Sequence, residues 1–197
     1  MLFRSDILYG VGVVPSKLAT IAEIRRRGVN LRCVTDNIAV ARAIAEAATR
    51  GDTFSVLIKI DSGAGRAGLP YPALSGLLDI ARVLHEAPGV ELAGVMTHAG
   101  HSYHQSTPEG VALIAEQERL AIVTAAQKIR DAGMPCPIVS GGSTPTAVHS
   151  KNFEGITEMR PGVYVFNDLD QEFIGSDRKS TRLNSSHSQQ SRMPSSA

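Results

Sequence analysis

Apolar residues between positions 6 and 166 follow two alternating spacings. Six short runs are almost wholly apolar, and the longer stretches between them repeat apolar residues every three or four positions. A short run without strict alternation predicts a strand covered on both faces, as in a parallel sheet. The six predicted strands are DILYGVGV, LRCVTD, SVLIKID, ELAGVMTHAG, CPIVSGG and ITEMRPGVYVF.

The stretches between the strands carry signals of amphipathic helices. Asp36 is placed to cap a helix that starts at Asn37 and ends before Gly51. Thr107-Pro108 opens another helix, and Gly133 follows its end. Two inner faces are predicted to pack on the sheet: Leu74, Leu77, Leu78, Ala81 and Leu84, and Ile122, Ala125, Ala126 and Ile129.

The alternation of strands and helices predicts an α/β fold made of right-handed βαβ units. Six strands suit either a doubly wound sheet or most of a (β/α)8 barrel, and composition does not choose between them. The polar motifs each follow the carboxyl end of a predicted strand, where α/β folds bind ligands. We therefore expect one ligand site at that end of the sheet.

Composition narrows the classes of partner. The 197 residues suit about one domain, and a net charge of +1 gives no electrostatic case for nucleic acid or an anionic membrane. Cys33 and Cys136 stand far apart with no CxxC spacing, which argues against a disulfide framework and fits a reducing cytoplasm. No apolar run approaches the roughly 20 residues that cross a bilayer.

The first polar motif is KIDSGAGRAGL, residues 59–69. Strand alternation places Lys59 and Asp61 on one face, and three glycines then lead the chain past Arg66. The alternative is a plain glycine-rich turn with a surface arginine. A nucleotide-binding fingerprint is disfavoured because the glycine spacing is wrong.

The second motif is THAGHSYH, residues 97–104. His98 closes a strand and is expected to face inward, whereas His101 and His104 fall in a loop. A metal site is the less favoured interpretation, because neighbouring carboxylates are missing.

The third and fourth motifs are SGGSTPT and EMRPGVYVF, residues 140–146 and 158–166. Backbone amides at Gly142 and the hydroxyl of Thr144 suit an anion, and Pro145 suits the first turn of a short helix. Arg160, before Pro-Gly, adds a fixed cation. The alternatives are a capped loop and a simple β-turn.

Together these motifs favour a flat, phosphorylated cofactor at one barrel mouth, between two arginines and the rings of His98 and Tyr103. The sequences KIDSGAGRAGL, GVMTHAGHSY, SGGSTPT and EMRPGVY have the order and spacing of fold-type III pyridoxal-phosphate enzymes. The chain resembles the D-threonine aldolase and D-serine dehydratase group of that family over nearly all of residues 6–170. Alanine racemases are similar at fewer positions. The resemblance implies a partial (β/α)8 barrel with about strands three to eight.

The resemblance implies roles for individual residues. Arg66 matches the arginine that reaches the phenolic oxygen of pyridoxal 5'-phosphate. His98 matches the racemase histidine near the pyridine ring, and Tyr103 matches a cofactor-contacting tyrosine of the dehydratases.

The phosphate and the pyridine nitrogen are assigned in the same way. Thr144 matches a phosphate-binding threonine, and the backbone of Gly162 and Val163 matches the other half of that phosphate cup. Arg160 matches the arginine that racemases place on the pyridine nitrogen, where a cation weakens the ring as an electron sink.

No residue of the chain is assigned a catalytic role. The family's Schiff-base lysine ends the first barrel strand, whereas the strand of Lys59 matches the fifth, so that lysine and two strands are expected upstream. Lys59 matches a racemase lysine that supports the arginine of its motif. The family's divalent metal, of manganese or zinc type, belongs to a C-terminal β-domain expected to begin around Asp168 and to be missing here.

Both ends resemble translated sequencing adapter. The head LFRS and the tail DRKSTRLNSSH and SRMPSSA match adapter reading frames. We therefore expect residues 1–5 to be artefact, residues 6–176 to be a cofactor-binding barrel fragment and residues 177–197 to be a disordered tail. The alternative is a low-complexity interaction arm.

The resemblance implies a cytoplasmic lyase of D-amino acid metabolism, a monomer or homodimer acting on a small D-3-hydroxy amino acid. Retro-aldol cleavage to glycine and an aldehyde and elimination of water both stay open. An amino-acid racemase, which Arg160 favours, and a non-catalytic pyridoxal-phosphate-binding protein are the alternatives. The fragment itself is expected to be inactive.

Overall fold

The computed structural model of the chain describes residues 6–166 and 169–176. Asp168 and the two segments predicted to be adapter-derived lie outside the described residues. The strands are β1 (Asp6–Gly12), β2 (Asn30–Thr35), β3 (Phe54–Asp61), β4 (Leu69–Pro70), β5 (Val90–Met96), β6 (Ile138–Gly141) and β7 (Glu158–Met159). The helices are α1 (Leu18–Arg26), α2 (Ile38–Ala48), α3 (Leu77–Glu86), α4 (Pro108–Asp131), α5 (Thr144–His149) and α6 (Leu169–Phe173).

The strands form a parallel sheet in the order β1-β2-β3-β5-β6-β7, with β4 pairing β3 off this path. The order follows the chain without the reversal that defines a doubly wound sheet. The sheet is curled, because Arg32 on β2 reaches Glu158 on β7 across the concave face, with 3.5 Å between Nη1 and Oε2. A curled sheet in chain order confirms the predicted partial (β/α)8 barrel.

Apolar side chains cover both faces of the sheet, as the continuous apolar runs predict. Val34, Leu57, Ala93 and Met96 form a small cluster separate from the main core. The main core joins the strands to the helices and includes the fully buried Ile44, Leu84 and Ile122 of α2, α3 and α4. Burial of each such side chain stabilises the fold by about 1.5–3 kcal/mol.

The predicted helix ends are confirmed at one place and wrong at another. Thr107 caps α4, its hydroxyl accepting a hydrogen bond from the Gly110 N–H at 3.1 Å. The cap of α2 is Asn37 rather than Asp36, because the Asn37 side chain accepts from the first helical N–H groups. The Asp36 carboxylate instead accepts from the Gly68 N–H at 2.7 Å and braces the glycine-rich turn after β3.

The sixth predicted strand is much shorter than its apolar pattern suggests. Strand β7 ends at Met159, and residues Val163–Val165 form a 3-10 turn. Pro161 has no N–H to donate to a ladder, so the Arg-Pro-Gly sequence ends the strand.

In α3, Leu77, Ala81 and Leu84 of the predicted stripe are buried and Leu78 packs partly against the core, while Leu74 is buried ahead of the helix. No helix among the described residues is long and apolar enough to cross a membrane.

Candidate cofactor site

The glycine-rich turn after β3 is built around Asp61. Its carboxylate accepts hydrogen bonds from the N–H groups of Gly63, Ala64 and Gly65 at distances from 2.8 to 3.3 Å. Asp61 therefore shapes the turn that presents Arg66, whose side chain is exposed at the end of the barrel.

Lys59 lies two residues before the end of β3, on the inside of the curled sheet, and is 7% exposed. It lines a small cavity with Arg66 and His98, together with Ala64, Ala67 and Gly100. Burial, followed by the nearby charge of Arg66, lowers the pKa of Lys59, and Asp36 and Asp61 oppose that shift. The cavity thus brings together three basic side chains, of which Lys59 is buried, His98 is half-buried and Arg66 is exposed.

His98 follows β5 and lies at the same end of the sheet. Its ring centroid is 6.4 Å from that of Tyr103, with the two planes tilted by 44°. Burial lowers the pKa of His98, partly opposed by a hydrogen bond to the Gly142 backbone. The His98 imidazole, with the Tyr103 ring beside it, lines one side of the cavity.

The other two histidines of this motif have different surroundings from His98. His104 is exposed, and the ring of His101 faces Gly63. No group of three or more His, Cys, Asp or Glu residues within 6–166 and 169–176 could hold a metal ion.

The segment after β6 is fixed by a capping box. The Ser143 hydroxyl accepts from the Thr146 N–H, and the Thr146 hydroxyl accepts from the Ser143 N–H at 2.8 Å. Thr144, 1% exposed, lies next to this cap, and its hydroxyl accepts from the Tyr164 N–H at 3.1 Å. The structure thereby brings the predicted threonine against the turn that follows β7.

That turn offers open backbone donors. Within the described part of the chain, the N–H groups of Gly162 and Val163 have no hydrogen-bond acceptor. A Cβ at Gly162 would meet no atom within 4 Å, so the approach is clear. The Thr144 hydroxyl still has its hydrogen to donate, because its oxygen is the acceptor for Tyr164. This donor set suits a phosphate.

Arg160 lies between the cavity and the donor set. Its Nε donates to the Ser140 hydroxyl at 2.8 Å and its Nη2 donates to the Thr97 carbonyl. Ser140 in turn donates to Glu158 at 2.6 Å. Burial lowers the pKa of Arg160, and Glu118 and Glu158 oppose the shift.

Gly142 joins the two halves of the site. Its backbone contacts His98, and its φ of +93° lies in the left-handed region. A Cβ there would lie 2.5 Å from the Met159 methyl carbon and 3.4 Å from the Arg160 nitrogen. Glycine at this position allows the basic cavity and the phosphate-type donors to share one mouth.

Two acidic residues of this region were not predicted. Glu118 of α4 is 2% exposed and Glu158 of β7 is half-buried. The signal for Glu118 is its register, since it falls on the inner stripe of α4 between Ile114 and Ile122. A carboxylate at an apolar position predicts a buried polar contact.

Comparison with known proteins decides the family. Residues 2–170 match the domain described as alanine racemase, N-terminal domain. The chain belongs to this family. Membership confirms the resemblance to fold-type III pyridoxal-phosphate enzymes drawn from the four motifs.

Relatives of this alanine racemase-type domain include lyases. D-threo-3-hydroxyaspartate dehydratase of Delftia sp. (strain HT23) is 46% identical over 172 residues, which are 87% of this chain and 45% of that protein. D-threonine aldolase of Arthrobacter sp is 31% identical over 80% of this chain and 41% of its own length.

A solved structure agrees. A mutant D-threo-3-hydroxyaspartate dehydratase in the metal-free form has a TM-score of 0.85 at 45% identity, covering 88% of this chain and 46% of the other. The chain therefore spans less than half the length of each of the relatives named here.

Proposed function

We propose that the chain forms part of the pyridoxal 5'-phosphate site of a lyase acting on a small D-3-hydroxy amino acid. The observation that carries this proposal is the joining, through Gly142, of the basic cavity at His98 to the donor set at Thr144. Both relatives named above are lyases by their descriptions, which supports the reaction class.

The phosphate would be held by the Thr144 hydroxyl, the backbone of Gly142 and the N–H groups of Gly162 and Val163. Their fit rests on donors without acceptors and on the open space at Gly162. Backbone donors held in a turn are a recurrent way to bind phosphate oxygens.

The ring of the cofactor would lie against His98 and Tyr103, with Arg66 at its phenolic oxygen. Pyridoxal phosphate supplies an electron sink for the bonds around the α-carbon of an amino acid. A His98 that is mostly neutral near pH 7 packs against a ring without adding charge, because burial holds its pKa below the ordinary value. Lys59, which lines the same cavity as Arg66, would have the supporting role that the resemblance implies for it.

Arg160 has fewer free hydrogen-bond donors than the role of the racemase arginine would suggest. Two of its donor atoms already bind the Ser140 hydroxyl and the Thr97 carbonyl. Only its remaining N–H groups would be available to a pyridine nitrogen. The racemase alternative, which depends on that arginine, is accordingly placed second to a lyase.

Among lyase reactions, elimination of water is our first candidate and aldol cleavage the second. The relative at 46% identity is a dehydratase of a 3-hydroxy amino acid, and the aldolase is 31% identical. A divalent metal of manganese or zinc type, outside the described residues, is part of the proposal. The metal-free form described for one dehydratase structure supports it. We also propose a cytoplasmic monomer or homodimer.

The test uses the full-length protein from the same source, supplied with pyridoxal phosphate and Mn²⁺ or Zn²⁺. D-threo-3-hydroxyaspartate, D-serine, D-threonine and D-alanine are offered separately, and 2-oxo acid, aldehyde and L-alanine are measured. A 2-oxo acid with release of ammonia is expected for dehydration, and glycine plus an aldehyde for aldol cleavage. Formation of L-alanine alone would contradict a lyase.

A further inference from the structure

The two peptide groups on either side of His98 are both hydrogen-bonded to charged side chains. On one side, the Thr97 carbonyl accepts a hydrogen bond from Arg160 Nη2. On the other, the Ala99 N–H donates to Glu118 Oε1 at 2.8 Å. Thr97 and Ala99 are both fully buried, so neither peptide group has water as a substitute partner.

From this geometry we infer that Glu118 is a positioning residue, which acts with Arg160 as a charged clamp on the backbone of His98. Arg160 reaches the loop from the end of β7, inside the curled sheet, and Glu118 reaches it from α4. The inference rests on the proposed function in one respect only, that the His98 ring faces the cofactor.

A carboxylate on the inner stripe of α4 has an unfavourable desolvation free energy. Ala115, Ala121 and Ile122, its buried neighbours on the helix, are apolar. An unpaired buried charge is strongly unfavourable, and charge-assisted hydrogen bonds are stronger than neutral ones. The Ala99 N–H provides such a bond, and the nearby guanidinium of Arg160 provides the opposite charge.

The clamp also sets the electrostatic surroundings of the imidazole. The charged groups that face His98 are Arg160 of the β7 end, Glu118 of α4 and Arg66 of the glycine-rich turn, and Lys59 of β3 lines the same cavity. Glu118 raises the pKa of His98, whereas burial and the two arginines lower it. Loss of the Glu118 charge should therefore lower the pKa of His98 further.

Two variants of the 197-residue chain separate charge from hydrogen bonding. In Glu118→Gln the charge is lost but an oxygen acceptor stays, so we expect a lower His98 pKa by ring-proton NMR. In Glu118→Met the acceptor is lost, so we expect the Ala99 amide to exchange with solvent at least about tenfold faster.

Glu116→Gln is the matched control, because Glu116 lies on the same helix and pairs with Arg119 at 2.7 Å near the surface. It should change neither readout. Unchanged His98 pKa and unchanged Ala99 exchange in the two Glu118 variants would overturn the inference.

If those variants do not fold, the wild-type chain still decides. Its Ala99 amide should exchange as slowly as the amides of β5, and exchange at the rate of an unprotected amide would overturn the clamp. All of these readouts come from the chain without cofactor. A failure of the proposed lyase function would leave them unchanged and is therefore distinguishable.

Discussion

Three basic side chains at the barrel mouth share one physical condition. Burial is the first cause that lowers the pKa of Lys59, of His98 and of Arg160. The positive charges of Lys59 and Arg160 are therefore held where water is scarce, and an anion in the mouth would relieve that cost. Such a pocket favours an anionic ligand before any cofactor is named.

His98 should make the chain less stable in acid. Its folded pKa lies below 6.5, the value taken for the unfolded chain. Between those two values the unfolded state binds more protons, so stability rises with pH and falls as pH drops through the window. His98→Gln should flatten this fall in chemical-denaturation curves below about pH 6.5.

The matched control is His104→Gln, because His104 is exposed. It should leave the pH dependence as in the wild type. A fall of equal steepness in His98→Gln and the wild type would contradict the prediction.

The two thiols should be inert in the folded chain. Burial raises the pKa of Cys33 and of Cys136 to about 11. Since the thiolate is the reactive form, neither should react with an aromatic disulfide reagent at pH 8 within minutes. Both should react once the chain is unfolded in guanidinium. A thiol that reacts within minutes in the native chain would contradict the prediction.

At the scale of elements, the contact between β5 and β6 depends on Gly94. A Cβ at that position would lie 1.9 Å from the Ile138 carbonyl oxygen, and the φ of +148° is rarely adopted by other residues. Gly94→Ala should therefore lower the free energy of unfolding by about 3 kcal/mol or more, since backbone must move.

Gly10→Ala in β1 is the control, because a Cβ there meets no atom within 4 Å and the φ is ordinary. Its unfolding free energy should stay within about 1 kcal/mol of the wild type. Equal destabilisation by both changes, measured in urea, would show that Gly94 has no special packing role.

The sequence predicts elements better than their ends. A strand forms at each of the six predicted positions and the Thr107 cap is confirmed, because apolar runs and capping signals act locally. The Asp36 cap and the long last strand are wrong. The Asp36 carboxylate accepts a hydrogen bond from Gly68, 32 positions away, instead of capping the helix. The last strand ends early because Pro161 cannot donate a backbone hydrogen bond, although the apolar pattern continues.

Prediction of the site has a similar limit. The motifs place Lys59, Arg66 and His98 in one cavity, as a common strand end requires. The register of Glu118 within α4 signals its burial, but its partner, the Ala99 N–H, depends on how α4 docks against the loop after β5, which spacing does not reveal. The cofactor roles of the motif residues stay predictions.

For the molecule as a whole, the curl of the sheet leaves β1 paired only with β2 among the described residues. Ile7, Tyr9 and Val11 on β1 are 39%, 40% and 60% exposed. An open edge with exposed apolar side chains favours pairing with another chain. We expect concentration-dependent association of the purified chain by sedimentation velocity.

Val11→Lys should weaken that association, because a charge at an edge strand opposes pairing. Val14→Lys is the control, since Val14 is 50% exposed but lies after the strand. Equal sedimentation of the wild type and Val11→Lys at every concentration would contradict the role of the edge.

The central claim is that this chain holds a cup for pyridoxal phosphate, and 31P NMR of the cofactor titrated with the 197-residue chain tests it most directly. We predict a saturable shift of the phosphate resonance. The dissociation constant obtained from this titration should rise about tenfold in Thr144→Val, as expected for loss of one hydrogen bond to a charged group. Borohydride should trap no adduct at Lys59. A phosphate resonance that the folded chain leaves unshifted, or a stable adduct at Lys59, would contradict the account.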